Sequence, residues 1–334
     1  MEYRGLLGIA VLLLIAWGLS ERRKLVNWRL VVVGVAMQFV LALLLLKLPP
    51  FKEFFLLLNR LTLALEQATA AGTSVVFGFL GGATLPFAAT APGAPFVLAF
   101  RASPIVLVVS ALSTLLFYWR ILPLLVRGCS VLLEKILQVG GAVGIAAAAN
   151  VFVGMVEAPL LVKPYLKKMS RGELFALMVC GMSTIAGTVL VLYASILRDT
   201  LPDALGHILT ASVISAPAAL VVAGLMVPHH GEVTVGRELE KSDANGAMDA
   251  ITRGTVDGIK LLLNIVAMLI VLIAFVSFAN QILALFPSVA GEPLTLQRIL
   301  GVLVSPVVWL LGIPWSEAAV AGSLLGTKMI LNDF

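Results

Sequence analysis

The sequence predicts an all-α polytopic membrane protein organised around two broken segments of opposite orientation. Three observations carry that expectation. Of 334 residues, 60% are hydrophobic and only 12% are charged, with a mean hydropathy of +1.06; soluble domains run nearer ~25% charged. The apolar residues come in blocks long enough to cross a bilayer, which takes about 20 residues. Finally, two Gly- and Pro-interrupted segments, 141–168 and 304–334, echo one another along the chain.

The elements follow in order. An apolar run from Gly5 to Ser20 is followed at once by Glu21-Arg22-Arg23-Lys24. Its charge lies after the apolar run and no small-residue cleavage site follows, so it reads as a retained span rather than a signal peptide. A second span runs from Leu30 to Leu48 and halts at Pro49-Pro50. Residues 51–68 mix apolar and charged positions, which suits a helix lying along the interface. The stretch 81–95 is rich in Gly and Pro and reads as a loop. A third span covers 96–119, ending at Trp119-Arg120, and 120–139 carries Arg127, Glu134 and Lys135 between leucines in an interfacial pattern. Spans at 173–194 and 207–227 flank a polar stretch from Arg198 to Asp203. A hydrophilic loop at 228–255, a long span at 256–287 and a polar turn at 288–294 lead to the last segment. That segment ends on Phe334 in an apolar context, as if within an element.

Segment 141–168 is unusual. GGAVGIAAAAN leads to VFVGMVEAPLL and then to basic residues from Lys163 to Arg171. The segment is too short to cross a membrane twice. One crossing is open to it; so is a re-entrant hairpin that turns near Gly154 and accounts for Asn150, Gly154, Glu157 and Pro159 at the turn. Irregular backbone at membrane depth survives only where protein or a water-filled cavity surrounds it. With the N-terminus outside, the cytoplasmic side holds fifteen of the 23 Lys and Arg, among them Arg22, Arg120, Lys163, Lys168 and Arg253. That positive-inside bias requires 141–168 to enter and leave on the same side. Paired broken segments in opposite orientation are the mark of inverted-repeat transporters, whose substrate binds at the repeat interface. The net charge of +5 therefore orients spans, and no nucleic-acid partner is expected.

The candidate residues carry alternatives. Glu157 at membrane depth costs roughly 2.5–3.5 kcal/mol on insertion scales; it binds, pairs or moves a proton, or it caps the half-helix starting near Ala158-Pro159. Asn150 either satisfies its own turn or, with freed carbonyls near Val153, offers hard oxygens to a small cation. In GMSTIAGTVL, Thr184, Ile185 and Val189 fall near one face of a span, while Gly181, Ser183, Ala186 and Gly187 suit close helix packing. Cys129 and Cys180 lack ligand spacing, and the histidines, His207, His229 and His230, lie at a span edge or in a loop. An intramembrane enzyme would need a nucleophile–base pair or metal ligands at depth, so none is expected.

AAAANVFVGMVEAPLLVKPYL, GMSTIAGTVL, SVISAPAALVVAGLMVP and GSLLGTKMILNDF together resemble the concentrative nucleoside transporter family. The resemblance covers the chain from residue 73 onward. It implies cation-coupled symport of nucleosides into the cell across the bacterial inner membrane. The coupling ion would be sodium, or a proton in some members, with no organic cofactor. It also implies a homotrimer in the lipid bilayer, in which a transport domain of two re-entrant hairpins and broken helices moves like an elevator against a scaffold.

On that basis 1–140 and 228–303 are scaffold and connector, 141–227 is the first repeat of the transport domain, and 304–334 opens the second. Asn150, Val153, Thr184 and Ile185 would hold sodium. Met155, Val156, Glu157 and Val189 would address the base, Asp333 the ribose hydroxyls, and Asn332 beside it the substrate. Two departures stand out. The first hairpin tip reads Gly154-Met155-Val156-Glu157, where the family has G-Q-[ST]-E, and Asp333 replaces the usual Glu. Family chains also continue through further spans, so a C-terminally shortened form, or one with an altered substrate or no independent activity, is the other expectation.

Overall fold

The computed structural model describes residues 3–87, 97–152, 157–185, 187–197, 200–201, 204–229, 234, 244–288 and 293–330. Among these the regular structure is helical: α1 Tyr3–Gly18, α2 Trp28–Lys47, α3 Pro49–Phe77, α4 Leu98–Arg101, α5 Ile105–Tyr118, α6 Ile121–Leu137, α7 Gly141–Phe152, α8 Glu157–Leu161, α9 Lys163–Leu166, α10 Arg171–Ser183, α11 Gly187–Leu197, α12 Ala204–Met226, α13 Ala247–Leu283, α14 Leu296–Leu310 and α15 Trp315–Ile330. Among the described residues, five helical stretches are long and apolar enough to cross a membrane: Trp28–Lys47, Arg60–Gly81, Leu98–Tyr118, Ala204–Met226 and Ala247–Leu283. This is an all-α membrane protein.

Several elements differ from the sequence reading. The interfacial helix expected at 51–68 is the front of α3, a continuous helix of 29 residues. Pro49 and Pro50 sit at its first positions, where a missing N–H costs nothing and the fixed φ favours starting a helix; they end α2 and begin α3. The span expected at 173–194 is two helices, α10 and α11, interrupted after Ser183. The residues expected as loop up to 255 are helical from Ala247, because Asp249 reaches Arg253 one turn on and also accepts the Asn245 N–H at 2.9 Å. The last broken segment begins at Leu296, before residue 304. Helix α1 has 16 residues, so its rise is about 24 Å, short of a ~30 Å hydrocarbon layer.

The chain divides into two compact units, 20–262 and the pair 1–19 with 263–334. In the first unit, α6 presents Leu122, Val126, Ser130, Leu133 and Leu137 as one buried stripe, the face an amphipathic helix needs to cover a core. That stripe covers α7, in which every residue from Gly141 to Val151 is buried. Helices α10 and α12 pack on the other sides of α7, and α2 packs on α12. A helix apolar all round must be enclosed, and a run of alanines lets neighbouring backbones come close.

The starts of α7 and α10 are tied together through a carboxylate. Ser170 caps α10, with Glu173 completing the capping box. Glu173, 4% exposed, accepts the Ser170 N–H at 2.9 Å, the Thr234 N–H at 2.7 Å and the Thr234 hydroxyl at 2.9 Å. The Thr234 carbonyl in turn accepts the Ala142 N–H at 3.2 Å. Gly140 fits here because a Cβ would meet Glu173 Oε1 at 2.7 Å. The His229 ring lies 2.6 Å from the Ser170 hydroxyl through Nδ1.

In the second unit, Asn280 near the end of α13 accepts the Leu296 N–H at 2.8 Å and donates to Gln297 at 3.1 Å, joining α13 to α14. Thr295 caps α14 by accepting the Arg298 N–H. Helices α14 and α15 then fold back on each other, bent by 116°; Gly312 takes φ +102 at the turn, a conformation that favours glycine.

Hydrogen bonds to a charged group contribute about 1.5–3 kcal/mol each, and orphaned donors cost more. Glu173→Ala is therefore expected to lower stability by about 3 kcal/mol, and Glu173→Gln by about 1 kcal/mol. Thermal unfolding of the purified protein in detergent checks both.

Candidate functional site

Helix α7 carries one strongly polar side chain into the core of the first unit. Asn150 is 0% exposed, and neither its Oδ1 nor its Nδ2 has a hydrogen-bond partner among the described residues. Each buried orphan costs about 1–3 kcal/mol, and the core around α7 is built of apolar side chains such as Val126, Leu133, Leu177, Cys180 and Leu220. Native structures pair most such groups with protein, ordered water or a ligand, which makes Asn150 a candidate ligand-binding residue. The helix stops two residues later at Phe152, and the chain resumes as helix at Glu157. Ala158 is fully buried there. Val153, Met155 and Val156 lie outside the described residues, as do Asn332 and Asp333; of Glu157 the backbone alone is described.

The second interruption lies on a helix packed against the first. Helix α10 contributes Ala176, Leu177 and Cys180 to the core that holds Ala146 to Ala149 of α7. It ends at Ser183, and Thr184 is extended, with φ −115 and ψ 155. The released end is partly satisfied by side chains: the Ser183 hydroxyl donates to the Val179 carbonyl at 2.6 Å and the Thr184 hydroxyl to the Cys180 carbonyl at 3.1 Å. With its proton committed, the Thr184 oxygen keeps lone pairs to offer. The Ile185 N–H donates to the Ser212 hydroxyl of α12 at 3.3 Å.

The structure thus brings Asn150 and the Thr184–Ile185 gap onto two helices in direct contact, but it does not set Thr184, Ile185 and Val189 on one helical face. Thr184 and Ile185 stand in the gap, while Val189, half-buried, belongs to α11. The physical reason is the loss of helical geometry after Ser183, which breaks the face that an unbroken helix would present. The sequence reading did not single out Ser212 or the Glu173–Thr234 pair. A serine within the apolar run TASVISAP was the available signal for Ser212, because a buried hydroxyl in a span needs a partner.

The donors in hand are an amide, hydroxyls and backbone carbonyls. Such neutral, hard oxygens replace the hydration shell of a small cation, and unwound backbone within transporter helices serves sodium or proton sites in the same way. No cluster of three His, Cys, Asp or Glu able to hold a transition metal occurs among the described residues. A cavity of about 120 Å³ lies at the opposite ends of α7 and α10, beside Asn27, Gln138, Glu173 and His229. It belongs to the helix starts and not to the two interruptions.

Residues 7–80 match the family model described as the Na+ dependent nucleoside transporter N-terminus. Residues 99–200 match one described as nucleoside recognition, and residues 207–334 match the Na+ dependent nucleoside transporter C-terminus. The chain is similar to the nucleoside permease NupC of Helicobacter pylori, with 36% identity over 98% of this chain and 77% of the permease. It is similar to sodium/nucleoside cotransporter 2 of Rattus norvegicus, with 31% identity over 98% of this chain and 48% of the cotransporter. Among solved structures, CNTnw in an inward-facing, substrate-bound state gives a TM-score of 0.87 at 34% identity, covering 99% of this chain and 78% of that one.

The bare amide makes a prediction that does not depend on transport. Asn150→Leu, nearly equal in volume, removes two orphan polar atoms. It is expected to stabilise the sodium-free protein by about 1–3 kcal/mol and to abolish any further stabilisation by sodium. Melting curves in sodium and in choline read both effects.

Proposed function

The chain belongs to the concentrative, sodium-dependent nucleoside transporter family, and we propose on that premise that it carries nucleosides into the cell by symport with sodium. Proteins of this family are transporters, so an enzymatic role is set aside. The observation that carries the proposal is the bare Asn150 amide beside two interrupted helices in one core. A buried polar group without a partner persists where function repays it, and sodium supplies what this one lacks.

In this reading Asn150, the hydroxyl and carbonyl oxygens of Thr184 and the carbonyls of Val153 and Ile185 hold sodium. Met155, Val156, Glu157 and Val189 address the nucleobase, Asp333 the ribose hydroxyls, and Asn332 beside it the substrate. Segments 141–168 and 304–334 act as re-entrant hairpins. Two facts support hairpins over crossings: α7 has only 12 residues, and α14 and α15 turn back through 116°. A 12-residue helix rises about 18 Å, well short of the hydrocarbon layer. The transport part comprises 141–227 and 304–334, and moves as an elevator against a scaffold of 1–140 and 228–303. The working form is a homotrimer in the bacterial inner membrane.

The coupling logic is electrostatic and local. Sodium bound in the gap satisfies Asn150 and stiffens the interrupted backbone of α7 and α10, on which the base-reading residues stand. Nucleoside then meets a pre-ordered site, and each ligand raises the affinity of the other by the same factor. Glu157 accepts hydrogen bonds from a nucleoside. Met155 and Val156 cannot form such bonds, so discrimination between bases is weak: a site that lacks a polar partner neither rewards nor rejects the group it would have read.

Uptake of radiolabelled uridine and adenosine into proteoliposomes, with and without an inward sodium gradient, tests the proposal. Sodium-driven accumulation of both nucleosides is expected, within about tenfold of each other, since one unread polar group is worth roughly 1–1.5 kcal/mol. Asn150→Ala and Thr184→Ala are expected to raise the sodium concentration for half-maximal uptake. Glu157→Gln is expected to abolish uptake with the protein still folded in the membrane. Sodium-independent uptake by the unaltered protein would remove the cation-site assignment and favour proton coupling.

A further inference from the structure

Helix α12 has no part in the cation and nucleoside assignments, yet it supplies the described contact to the amide in the α10–α11 gap. Ser212 is 2% exposed and accepts the Ile185 N–H at 3.3 Å through its hydroxyl oxygen. Helix α12 packs on both α10 and α11, so this serine stands where one continuous helix faces the break in another. We infer that Ser212 is a positioning residue for sodium: it sets the plane of the Thr184–Ile185 peptide and with it the direction of the Thr184 carbonyl. The inference rests on the sodium-symport reading and extends it to a residue on a third helix.

The argument starts from peptide planarity. In a trans peptide the carbonyl of one residue and the N–H of the next lie in one plane and point in opposite directions. No cis peptide bond occurs among the described residues. Anchoring the Ile185 N–H on Ser212 therefore turns the Thr184 carbonyl away from α12. The Thr184 hydroxyl is fixed by its donation to the Cys180 carbonyl, so both oxygens of Thr184 have a set orientation, one through α10 and one through α12. Thr184 is extended, outside the helical ladder, and regular helix bonds cannot hold this peptide. Without Ser212 the Ile185 N–H loses its described partner, and the peptide is free to rotate to find another acceptor. A cation ligand that must first be turned into place binds its ion more weakly, by the cost of the turning.

The test is a sodium titration of uridine uptake into proteoliposomes by the unaltered protein, Ser212→Ala and Ser212→Thr. Ser212→Ala is expected to raise the half-saturating sodium concentration about five- to tenfold, the cost of losing one amide hydrogen bond, and to lower maximal uptake proportionately much less. Ser212→Thr keeps the hydroxyl and is expected to titrate close to the unaltered protein. An unchanged sodium titration in Ser212→Ala, or a loss of maximal uptake alone, overturns the inference and leaves Ser212 a packing residue. Sodium-dependent thermal stabilisation of the same three purified proteins separates this outcome from failure of the symport reading. If nucleoside uptake is absent throughout, stabilisation lost in Ser212→Ala and kept in Ser212→Thr still supports the role. Equal stabilisation in all three, or none in the unaltered protein, refutes it.

Discussion

Everything in the first unit depends on enclosing the interrupted helix α7 on all sides. Polar groups where α7 ends stand in an apolar core, and an orphaned group in such surroundings costs several kcal/mol. The protein meets that constraint by enclosure. Every residue of α7 from Gly141 to Val151 is buried, and the Ala-rich run lets α6, α10 and α12 close around it at short range. Larger side chains would hold those helices apart and admit lipid to the broken ends. The enclosure in turn makes the bare amide of Asn150 significant, because nothing apolar nearby can satisfy it.

Charge and neutral polarity are segregated along these helices. The buried carboxylate of Glu173 sits where α10 begins, next to Ser170 and Thr234, and its work is to tie helix starts together. At the other ends of α7 and α10 the described polar groups are an amide, hydroxyls and backbone. Neutral oxygens hold a cation weakly enough to let it go, which conduction and transport both require.

How far the sequence discloses this arrangement depends on the range of the interaction. Helices α2 and α12 are legible as apolar blocks of span length, and α6 as a stripe repeating every three to four residues. The break after Ser183 is hidden because GMSTIAGTVL is as apolar and small as a packed helix would be; nothing local distinguishes unwinding from close contact. The start of α13 is mistaken for loop because its charges look solvated, whereas Asp249 and Arg253 are one turn apart and support the helix. Ser212 with Ile185, and Thr234 with Glu173, are separated by 27 and 61 positions, so no local pattern relates them. Asn150 was recognisable as a residue type out of place; that no described residue pairs with its amide required coordinates.

Helix α13 runs 37 residues without a break, about 55 Å at 1.5 Å per residue, nearly twice the hydrocarbon thickness. Its charged residues cluster at the start: Asp249 pairs with Arg253, and Asp257 with Lys260. After Lys260 no charged residue occurs up to Leu283, which leaves 23 apolar or neutral residues, roughly 35 Å of helix. That length exceeds a ~30 Å hydrocarbon layer by a few ångströms, a hydrophobic mismatch that tilt or local bilayer thickening absorbs at a modest cost per ångström. The helix is therefore a ruler held against the lipid. Thicker, longer-chain lipids fit it upright, whereas thinner ones force it to lean, so bilayer thickness becomes a mechanical variable acting on whatever is anchored to α13.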